Sequence, residues 1–376
     1  FTLHCSPFTD SMRTFFVSHA YLDAQARGKL RALVGQGCAV TVAVPEKWPG
    51  QWGHPPKVAT WQDDAGVRVV PIPVSGGREP RWSRRALFRL ISDARPDVIQ
   101  VEEEPETTIA TLVAGIAHRL KVPLVVQSWT SLAPKLGFGA RWRRKRTLGR
   151  AAGLVAGNEL ARAILARERQ GIPLAVIPQL GVTPPLTAPR HPPAEFTMAF
   201  VGRLVPEKGL DVLLRACVKL HGRWQLKVIG SGPSQVALED LAERLGLAAR
   251  VTWLGALEPD ALPALWPSID ALVLPSRSTP AWVETWSYTL VEAMAAGVAA
   301  VTSDAGALPE IVGSAGVVVP ENDAAALTAG LQRLRDDRTT RETLGAEGRK
   351  RVMEEFGDAA VAGRTVEFWK ELRKGA

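Results

Sequence analysis

Cysteine is scarce in this chain of 376 residues, and long apolar runs are missing. The three cysteines, Cys5, Cys38 and Cys217, are an odd number, lie far apart and match no metal-ligand spacing. This usage excludes a disulfide-stapled secreted fold and predicts buried thiols in a reducing compartment. No apolar run reaches the roughly eighteen residues of a membrane span, so the sequence predicts no transmembrane helix.

The glycine fingerprint of dinucleotide-binding proteins is missing as well. One predicted strand ends in the glycine turn "VIGSGP", with Gly230, Ser231 and Gly232, but the third glycine of the pattern is lacking. The first strand of each half also lacks the pattern. A glycine turn still lets a planar base or a phosphate approach the backbone. A nicotinamide-dependent oxidoreductase therefore remains only as an alternative function.

The first eleven residues, "FTLHCSPFTDS", lack the basic start and the apolar centre of a signal peptide. They precede Met12, and "MRTFFVSHAY" then predicts the first strand. We interpret residues 1–11 as a non-native or mis-started leader and assign no function to them.

Short apolar runs alternate with longer amphipathic runs in both halves of the chain. Runs such as "AVTVAVP" and "PLVVQSW" predict buried parallel strands, and runs such as "DAQARGKLRALVGQG" and "TTIATLVAGIAHRLK" predict the helices between them. A proline-rich stretch, "QLGVTPPLTAPRHPPAEF", predicts a linker. The pattern predicts two doubly wound, Rossmann-like α/β domains, residues 12–185 and 195–357, facing a central cleft. Ligand sites are expected beyond the carboxyl ends of the strands.

Two cations follow the first strand of the second half, in "VGRLVPEKGLDVLL". Arg203 stands at the strand end and Lys208 just before the next helix, while Gly202 and Gly209 allow close backbone approach. A guanidinium and an ammonium beside a helix N-terminus can clamp a diphosphate. The alternative is that both are solvated loop charges.

Two carboxylates, with seven residues between them, stand in the otherwise apolar stretch "ETWSYTLVEAMAAGVAAV". A helix is predicted from about Ser287 to Gly297, with Glu284 in the loop before it and Glu292 about one turn inside. Carboxylate oxygens accept hydrogen bonds from hydroxyl groups, so Glu292 suits a ribose and Glu284 a sugar. The backbone N–H groups expected to meet a phosphate are those of Ser287, Tyr288 and Thr289.

Both carboxylates also have plain structural alternatives. Thr289 and Glu292 match the spacing of a capping box, in which Glu292 would only cap the helix. Glu284 could be a solvated loop acid. Taken singly, neither residue decides between these interpretations.

Four segments together carry a family resemblance: "FVGRLVPEKGLDVLLRA", "VIGSGP", "VTWLGAL" and "ETWSYTLVEAMAAGVAAVTSDAGALPEIVG". They resemble the C-terminal half of retaining glycosyltransferases of the GT-B fold, glycosyltransferase family 4, which carries a Glu, seven residues and a second Glu. "PDVIQVEEEPET" and "GLVAGNELARAIL" resemble a branch of that family more loosely. The final "FGDAAVAGRTVEFWKEL" resembles its closing helix, which implies that residues 358–376 complete the N-terminal domain.

The resemblance implies an enzyme that moves a sugar from a nucleotide-diphosphate sugar to a hydroxyl acceptor with retention of configuration. We expect a cytoplasmic protein. It implies Arg203, Lys208 and Glu284 as catalytic residues, with the two cations stabilising the leaving group, and Glu292 as the ribose ligand. No cofactor and no metal are expected. The implied donor site comprises Gly202, Arg203, Lys208, Gly230, Ser231, Gly232, Ser287, Tyr288, Thr289, Leu290 and Glu292.

The chain departs from the family pattern in three places. Trp286 and Ser287 replace a common Phe-Gly pair, and Gly297-Val298-Ala299 replaces a common Gly-x-Pro. "SHAYLDAQAR" stands where relatives often carry two glycines, which puts in doubt how the first domain reaches the donor phosphates.

Acceptor recognition is expected from polar residues at the strand ends of the first domain. The acids of "VEEEPET" repel one another unless they meet water, a cation or sugar hydroxyls, and a solvated loop is the alternative. His19 follows the first strand and is either catalytic or a hydrogen-bonded structural residue. The predicted acceptor-side residues are His19, Glu102, Glu103, Glu104 and Gln127.

The net charge of +8 favours anionic partners without choosing among them. Basic residues concentrate around Trp142 in "ARWRRKRTLGR", at Arg141, Arg143, Arg144, Lys145 and Arg146. They predict a peripheral contact with an anionic membrane surface at its inner face. An anionic acceptor and a solvated helix face are alternatives, and no specific nucleic-acid site is predicted. A non-catalytic, glycosyltransferase-like module that binds lipid or nucleic acid through this basic face also remains open.

Overall fold

The computed structural model describes residues 11–48, 57–58, 62–76, 80–183, 195–257 and 261–374. The predicted leader, except Ser11, lies outside these residues, as do Cys5 and most of the predicted linker. The chain divides into two compact units. The N-terminal unit comprises residues 1–181 and 358–376, and the C-terminal unit comprises residues 182–357.

The N-terminal unit is built on an eight-stranded sheet with the strand order β12-β11-β10-β9-β1-β2-β6-β5. All neighbouring strands are parallel except β5, which runs antiparallel to β6. Its strands, numbered in chain order, are β1 (Arg13–Val17), β2 (Ala39–Pro45), β5 (Gln62–Asp64), β6 (Val67–Ile72), β9 (Val98–Val101), β10 (Leu124–Ser128), β11 (Gly153–Ala156) and β12 (Leu174–Val176). Two short ribbons pair β3 (Lys47–Trp48) with β4 (Lys57–Val58) and β7 (Val74–Ser75) with β8 (Arg81–Trp82).

Helices cover both faces of this sheet because successive residues of its strands point to opposite sides. In β1, Phe15 belongs to a core with Ile91 and Val113, whereas Phe16 belongs to a core with Leu30 and Trp369. The helices are α1 (Gly28–Gly35), α2 (Arg84–Ala94), α3 (Thr108–Leu120), α4 (Phe138–Leu148), α5 (Glu159–Glu168) and α12 (Asp358–Lys374). Helix α12 packs against α1, and the Trp369 indole N–H donates to Gln100 Oε1 at 3.0 Å.

The C-terminal unit has a six-stranded, all-parallel sheet with the order β15-β14-β13-β16-β17-β18. Its strands are β13 (Phe196–Val201), β14 (Trp224–Ile229), β15 (Val251–Gly255), β16 (Ala271–Leu274), β17 (Ala299–Ser303) and β18 (Val317–Val319). Its helices are α6 (Leu210–Cys217), α7 (Gln235–Arg244), α8 (Tyr288–Ala295), α9 (Leu308–Val312), α10 (Ala324–Asp336) and α11 (Arg338–Arg351), followed by a π-helical turn, Val352–Phe356.

The order of this second sheet reverses at β13, which has β14 on one side and β16 on the other. In open α/β sheets, ligands bind at such a reversal, beyond the carboxyl ends of the strands. The predicted α/β fold class with parallel sheets is confirmed, and the candidate site is sought at this edge of the second sheet.

One helix is shorter than the sequence predicts. "DAQARGKLRALVGQG" predicts a helix over 23–37, but α1 begins only at Gly28, after 3₁₀ turns at Ala20–Leu22 and Gln25–Arg27. The buried guanidinium of Arg27 donates to the carbonyls of Tyr21 and Leu22 and pairs with Asp64 at 3.1 Å. These bonds hold the preceding chain in tight turns instead of a helix.

Both described cysteines, Cys38 and Cys217, are free and buried, as predicted. Burial raises the pKa of the Cys217 thiol to about 12. Within the ranges that the structure describes, no helix has both the length and the apolar character that crossing a bilayer requires.

Candidate functional site

Backbone contacts bring the loop after β13 and the loop after β14 together at the carboxyl edge of the C-terminal sheet. The Leu204 N–H donates to Ser231 O at 3.0 Å, and the Ser234 N–H donates to Leu204 O at 3.0 Å. Gly230 has a φ of +135°, and a Cβ there would lie 1.9 Å from Gly202 O. Glycine is therefore required at this turn because the two loops touch through their main chains.

The loop after β13 also meets the loop after β16. Gly209, at the start of α6, has a φ of +69°, and a Cβ there would lie 1.9 Å from Pro275 O. This close approach sets Lys208, the residue before it, beside the segment that leads into α8. Arg203 lies half-buried at the start of the same loop.

Lys208 and Glu284 form a partly buried ion pair. Lys208 Nζ lies 2.6 Å from Glu284 Oε2, and Ser276 Oγ donates to the same oxygen at 3.0 Å. The Glu284 side chain is 6% exposed, and Lys208 Nζ also lies 5.1 Å from the Trp282 ring centroid. Interpreting Lys208 as a solvated loop charge and Glu284 as a solvated loop acid is therefore wrong, because each partly neutralises the other away from water.

The loop that carries Glu284 is itself fixed. The Glu284 carbonyl accepts the N–H of Ala307 at 2.8 Å, and Ser303 Oγ donates to Ser276 O at 2.5 Å. Ser276 and Trp282 are not among the predicted site residues, although both lie close to Glu284 in the chain. A hydroxyl and an aromatic ring in a strand-end loop are too common to point to a site without the tertiary contacts.

Helix α8 begins at Tyr288 with Ser287 as its N-cap, and Ser287 Oγ accepts the N–H of Leu290 at 3.3 Å. The capping-box interpretation of Thr289 and Glu292 is therefore wrong. The cap lies two residues before Thr289, so the residue three positions after the cap is Leu290, not Glu292. Leu290 belongs to the implied donor site, but its N–H is already bonded to Ser287 Oγ.

Glu292 is partly buried in the second turn of α8. Across the described ranges, its carboxyl group has no hydrogen-bond or ion-pair partner, in contrast to Glu284. Burial raises the pKa of Glu292 because its ionised form loses contact with water. A carboxyl group placed this way is stabilised when hydroxyl donors from a ligand reach it.

At the strand ends of the N-terminal unit, His19 is bound to Glu103. Glu103 Oε1 accepts the backbone N–H of His19 at 2.7 Å and lies 2.6 Å from its Nδ1. The imidazole also stacks on Trp48, with ring centroids 4.2 Å apart. One polar contact at Nδ1 and one stacking contact fix the orientation of the ring, which remains partly exposed.

The prediction that Glu102 and Gln127 bind an acceptor is wrong. Glu102 is 0% exposed, and its oxygens accept from Lys29 Nζ at 2.5 Å, Tyr21 Oη at 2.6 Å and Gln100 Nε2 at 2.7 Å. Gln127 is fully buried in β10 and donates to Ile177 O. Neither side chain is accessible to an acceptor, because both serve the interior of the unit.

Glu104 is also engaged by the protein, although it lies nearer the surface. Its oxygens accept from Ser128 Oγ at 2.6 Å and from the Trp129 N–H at 3.0 Å. Burial raises the pKa of Glu104, against the opposing effect of these hydrogen bonds. Its bonds tie the loop after β9 to the end of β10, which supports a structural role.

Only some of the basic residues predicted to form a surface on α4 are exposed. Arg144 is buried and pairs with Glu106 at 2.7 Å and Glu168 at 2.9 Å. Its burial lowers the pKa of the guanidinium, but Glu168 and Glu106 outweigh that effect and raise it. The prediction that Arg144 contacts a membrane is therefore wrong. The basic residues of α4 with exposed side chains are Arg141, Lys145 and Arg146, and Arg143 is half-buried.

The described residues contain no group of three or more His, Cys, Asp or Glu side chains arranged to hold a metal ion. The candidate site is thus a set of organic cations, carboxylates and backbone groups. Such a set suits a ligand that carries both phosphate and hydroxyl groups.

Two family models cover most of the chain. Residues 187–351 match the model described as glycosyl transferases group 1, and residues 23–179 match the glycosyl transferase 4-like domain. Together they span both structural units.

Curated relatives match over a shorter stretch. The chain is 34% identical over 180 residues to an uncharacterised glycosyltransferase, MJ1607, of Methanocaldococcus jannaschii, covering 47% of this chain and 45% of that protein. It is 31% identical over 179 residues to a GDP-mannose-dependent alpha-(1-6)-phosphatidylinositol monomannoside mannosyltransferase of Mycobacterium tuberculosis, covering 46% of each. The matched region therefore spans less than half of these relatives.

The fold resembles that of solved glycosyltransferase structures over nearly the whole chain. Anabaena Alr3699/HepE in complex with UDP superposes with a TM-score of 0.71 at 16% identity, covering 96% of this chain and all of that one. With the family models and the geometry above, the likeness identifies the fold class. The chain belongs to the GT-B glycosyltransferases of the group 1 type, glycosyltransferase family 4.

Proposed function

We propose that this protein transfers a sugar from a nucleotide-diphosphate sugar to a hydroxyl acceptor, with retention of configuration at the anomeric carbon. The proposal rests mainly on Glu292. Its carboxyl group is partly buried, has a raised pKa and has no partner among the described residues. Two vicinal ribose hydroxyls would supply the missing hydrogen bonds. The family relationship supports the same reaction class.

The donor diphosphate is proposed to bind between the loops after β13 and β16. Arg203 and Lys208 would contact its oxygens, and the backbone around Gly230 and Gly232 would lie against the nucleoside. HepE is described in complex with UDP, and the mycobacterial relative is named GDP-mannose-dependent. Both diphosphates are therefore the first ligands to test.

In the proposed reaction, the bond between the anomeric carbon and the diphosphate oxygen breaks as the acceptor oxygen bonds to that carbon. Negative charge grows on the departing diphosphate, and Arg203 and Lys208 stabilise it. Removing one such donor typically lowers the rate by about 10²–10³. Glu284 would accept hydrogen bonds from sugar hydroxyls and hold Lys208 in place through the ion pair at 2.6 Å.

On the acceptor side, His19 and Glu103 remain as the proposed pair, since Glu102 and Gln127 are buried. Glu103 orients the imidazole, and the partly exposed ring would hydrogen-bond the acceptor hydroxyl. Glycolipid, polysaccharide and small-molecule acceptors all present such a group. A cytoplasmic protein that acts at the inner membrane face is part of the same proposal.

The donor assignment is tested by thermal shift with UDP, GDP, ADP and their sugar conjugates. A ligand that binds only the folded state raises the melting temperature. We expect a shift with one nucleotide that disappears in Glu292→Ala and persists in Glu243→Ala, which removes an exposed glutamate of α7. No shift with any nucleotide, or an equal shift in both variants, would contradict the ribose role.

Transfer itself is tested with the nucleotide that binds. We expect Glu284→Ala and Arg203→Ala each to lose activity while circular dichroism shows a folded chain. Unchanged turnover in both variants would refute the catalytic assignment. Retention is tested by NMR of the product anomer.

A non-catalytic binding module is the second candidate, favoured by the basic surface of the N-terminal unit. It does not require Glu284, Glu292 and Lys208 to lie at one sheet edge. Binding of vesicles or DNA without any nucleotide shift would favour it. An oxidoreductase has no support from the family models, and added reduced nicotinamide dinucleotide should show no fluorescence change.

A further inference from the structure

An open groove of ≈ 1010 Å³ lies on the N-terminal unit, between α2, α3 and α4. It belongs entirely to this unit and shares no residue with the candidate donor site. Its charged lining consists of one acid, Asp93, and seven arginines: Arg84, Arg85, Arg89, Arg119, Arg143, Arg146 and Arg150.

Most of this positive charge is not neutralised by the protein. Arg89 lies 3.8 Å from Asp93, and Arg143 donates to the carbonyl of Glu106. The other five arginines form no ion pair with any residue that the structure describes. Burial, and secondarily the charge of Arg146, lower the pKa of Arg150. Cations held together in this way are stabilised by an anionic ligand.

The floor of the groove is apolar. Phe88, Leu112 and Ile116 line it, and the Arg119 guanidinium lies 5.3 Å from the centre of the Phe88 ring. Guanidinium groups above a floor of apolar side chains suit a ligand with a phosphate group attached to an apolar body.

Exposed aromatic side chains adjoin the groove on α4. Phe138 is 90% exposed and Trp142 is 53% exposed, and their spacing of four places them on one face of the helix. The Arg146 guanidinium lies 5.2 Å from the Trp142 ring and joins this face to the groove. Large exposed aromatic side chains beside cations are typical of surfaces that enter a membrane interface.

We propose that the arginine groove and the aromatic face of α4 dock the protein on a bilayer that contains anionic phospholipids. Headgroup phosphates occupy the groove, while Phe138 and Trp142 enter the interface. A soluble polyanion would use the arginines but would have no use for the two aromatic rings. Membrane docking through this surface does not depend on the donor site, and the two can be tested separately.

The test measures partition of the full chain onto vesicles by sedimentation. We expect binding to phosphatidylcholine mixed with phosphatidylglycerol, weak binding to phosphatidylcholine alone, and loss of binding in high salt. Each cation near an anionic leaflet contributes about a factor of five to the partition coefficient. The exposed triple variant Arg85→Gln, Arg119→Gln, Arg146→Gln should therefore bind roughly 100-fold more weakly.

The matched control removes three exposed arginines of the same unit that do not line the groove: Arg68→Gln, Arg162→Gln and Arg167→Gln. It has the same net charge as the groove variant and should keep nearly all of the binding. Equal loss in both triple variants would overturn the groove assignment, because it would mean that total charge alone drives binding.

A second variant separates a bilayer from a soluble polyanion. Phe138→Ala with Trp142→Ala should weaken vesicle binding while retention on heparin, a soluble polyanion probe, stays unchanged. Unchanged vesicle binding in this variant would overturn the membrane proposal in favour of a polyanionic ligand. Circular dichroism and the nucleotide-induced thermal shift, unchanged in all three variants, show that folding and donor binding are intact.

Discussion

Lys208 Nζ and Glu284 Oε2 lie 2.6 Å apart although 76 residues separate them in the chain. Lys208 follows β13 and Glu284 follows β16, and these two strands are neighbours at the centre of the C-terminal sheet. The parallel arrangement carries both loops to the same edge. In the proposed function, a diphosphate arriving there would meet an ammonium group that is already oriented by a carboxylate.

We expect the contributions of Lys208 and Glu284 to the free energy of unfolding to depend on each other. Lys208→Met leaves the Glu284 carboxylate buried with only the Ser276 hydroxyl, which should lower the free energy of unfolding by about 3 kcal/mol. The double variant Lys208→Met, Glu284→Gln removes both charges and should lose less than the sum of the single variants. Urea denaturation measures all four proteins, and additive losses would contradict the coupling.

Glu292→Gln should stabilise the free protein at neutral pH. A carboxyl group whose pKa is raised on folding binds its proton more tightly in the folded state, so stability falls as pH rises above the ordinary glutamate value. Glutamine lacks this titration, so its advantage should be absent near pH ~4 and appear towards pH ~7. Melting temperatures across this range provide the measurement.

The same Glu292→Gln variant should bind the donor nucleotide more weakly, since an amide offers one acceptor oxygen in place of two. Glu243→Gln, on an exposed part of α7, serves as the control and should change neither property. A pH-independent stability difference for Glu292→Gln would show that its carboxyl group does not titrate abnormally.

Gly209→Ala should destabilise the protein more than the positive φ angle of Gly209 alone would explain. Gly209 and Gly246 have nearly equal φ values, +69° and +72°. A Cβ at Gly209 would meet Pro275 O at 1.9 Å, whereas nothing lies within 4 Å of a Cβ at Gly246. Gly246→Ala should therefore lower the free energy of unfolding by about 1 kcal/mol. Gly209→Ala should cost about 3 kcal/mol and weaken nucleotide binding. Equal unfolding free energies for the two variants would argue against the close contact.

Arg144→Leu should destabilise the N-terminal unit, in contrast to its exposed neighbour. Removing the guanidinium leaves Glu106 and Glu168 without their shared partner, which should cost about 3–5 kcal/mol. Arg141→Leu should change stability by at most ~0.5 kcal/mol. Thermal unfolding compares them, and similar melting temperatures would mean that Arg144 is not a structural residue.

Glu103→Gln should impair transfer through His19. The amide cannot replace a carboxylate that fixes the imidazole, so turnover should fall by about 10². The turnover of His19→Ala should fall by a similar factor. The turnover of the double variant should be no lower than that of either single variant. The nucleotide-induced thermal shift should be unchanged in all three, which separates this role from donor binding.

Much of the fold was predictable because buried parallel strands are continuous apolar runs. "AVTVAVP" matches β2, Ala39–Pro45, residue for residue. The helix predicted from about Ser287 to Gly297 corresponds to α8, Tyr288–Ala295. The capping prediction failed because Ser287, Thr289 and Glu292 supply competing local patterns, and only the backbone geometry shows that Ser287 is the cap.

The sequence by itself determined the order of strands and helices, the family and the residues at the edge of the second sheet, since these follow from local patterns. Only the tertiary structure decided which charges are paired. It buried Glu102 and Arg144 and joined Lys208 to Glu284. It also gathered arginines from three helices into one groove. Charge and spacing cannot distinguish these outcomes, because burial depends on which helix faces pack against the sheet.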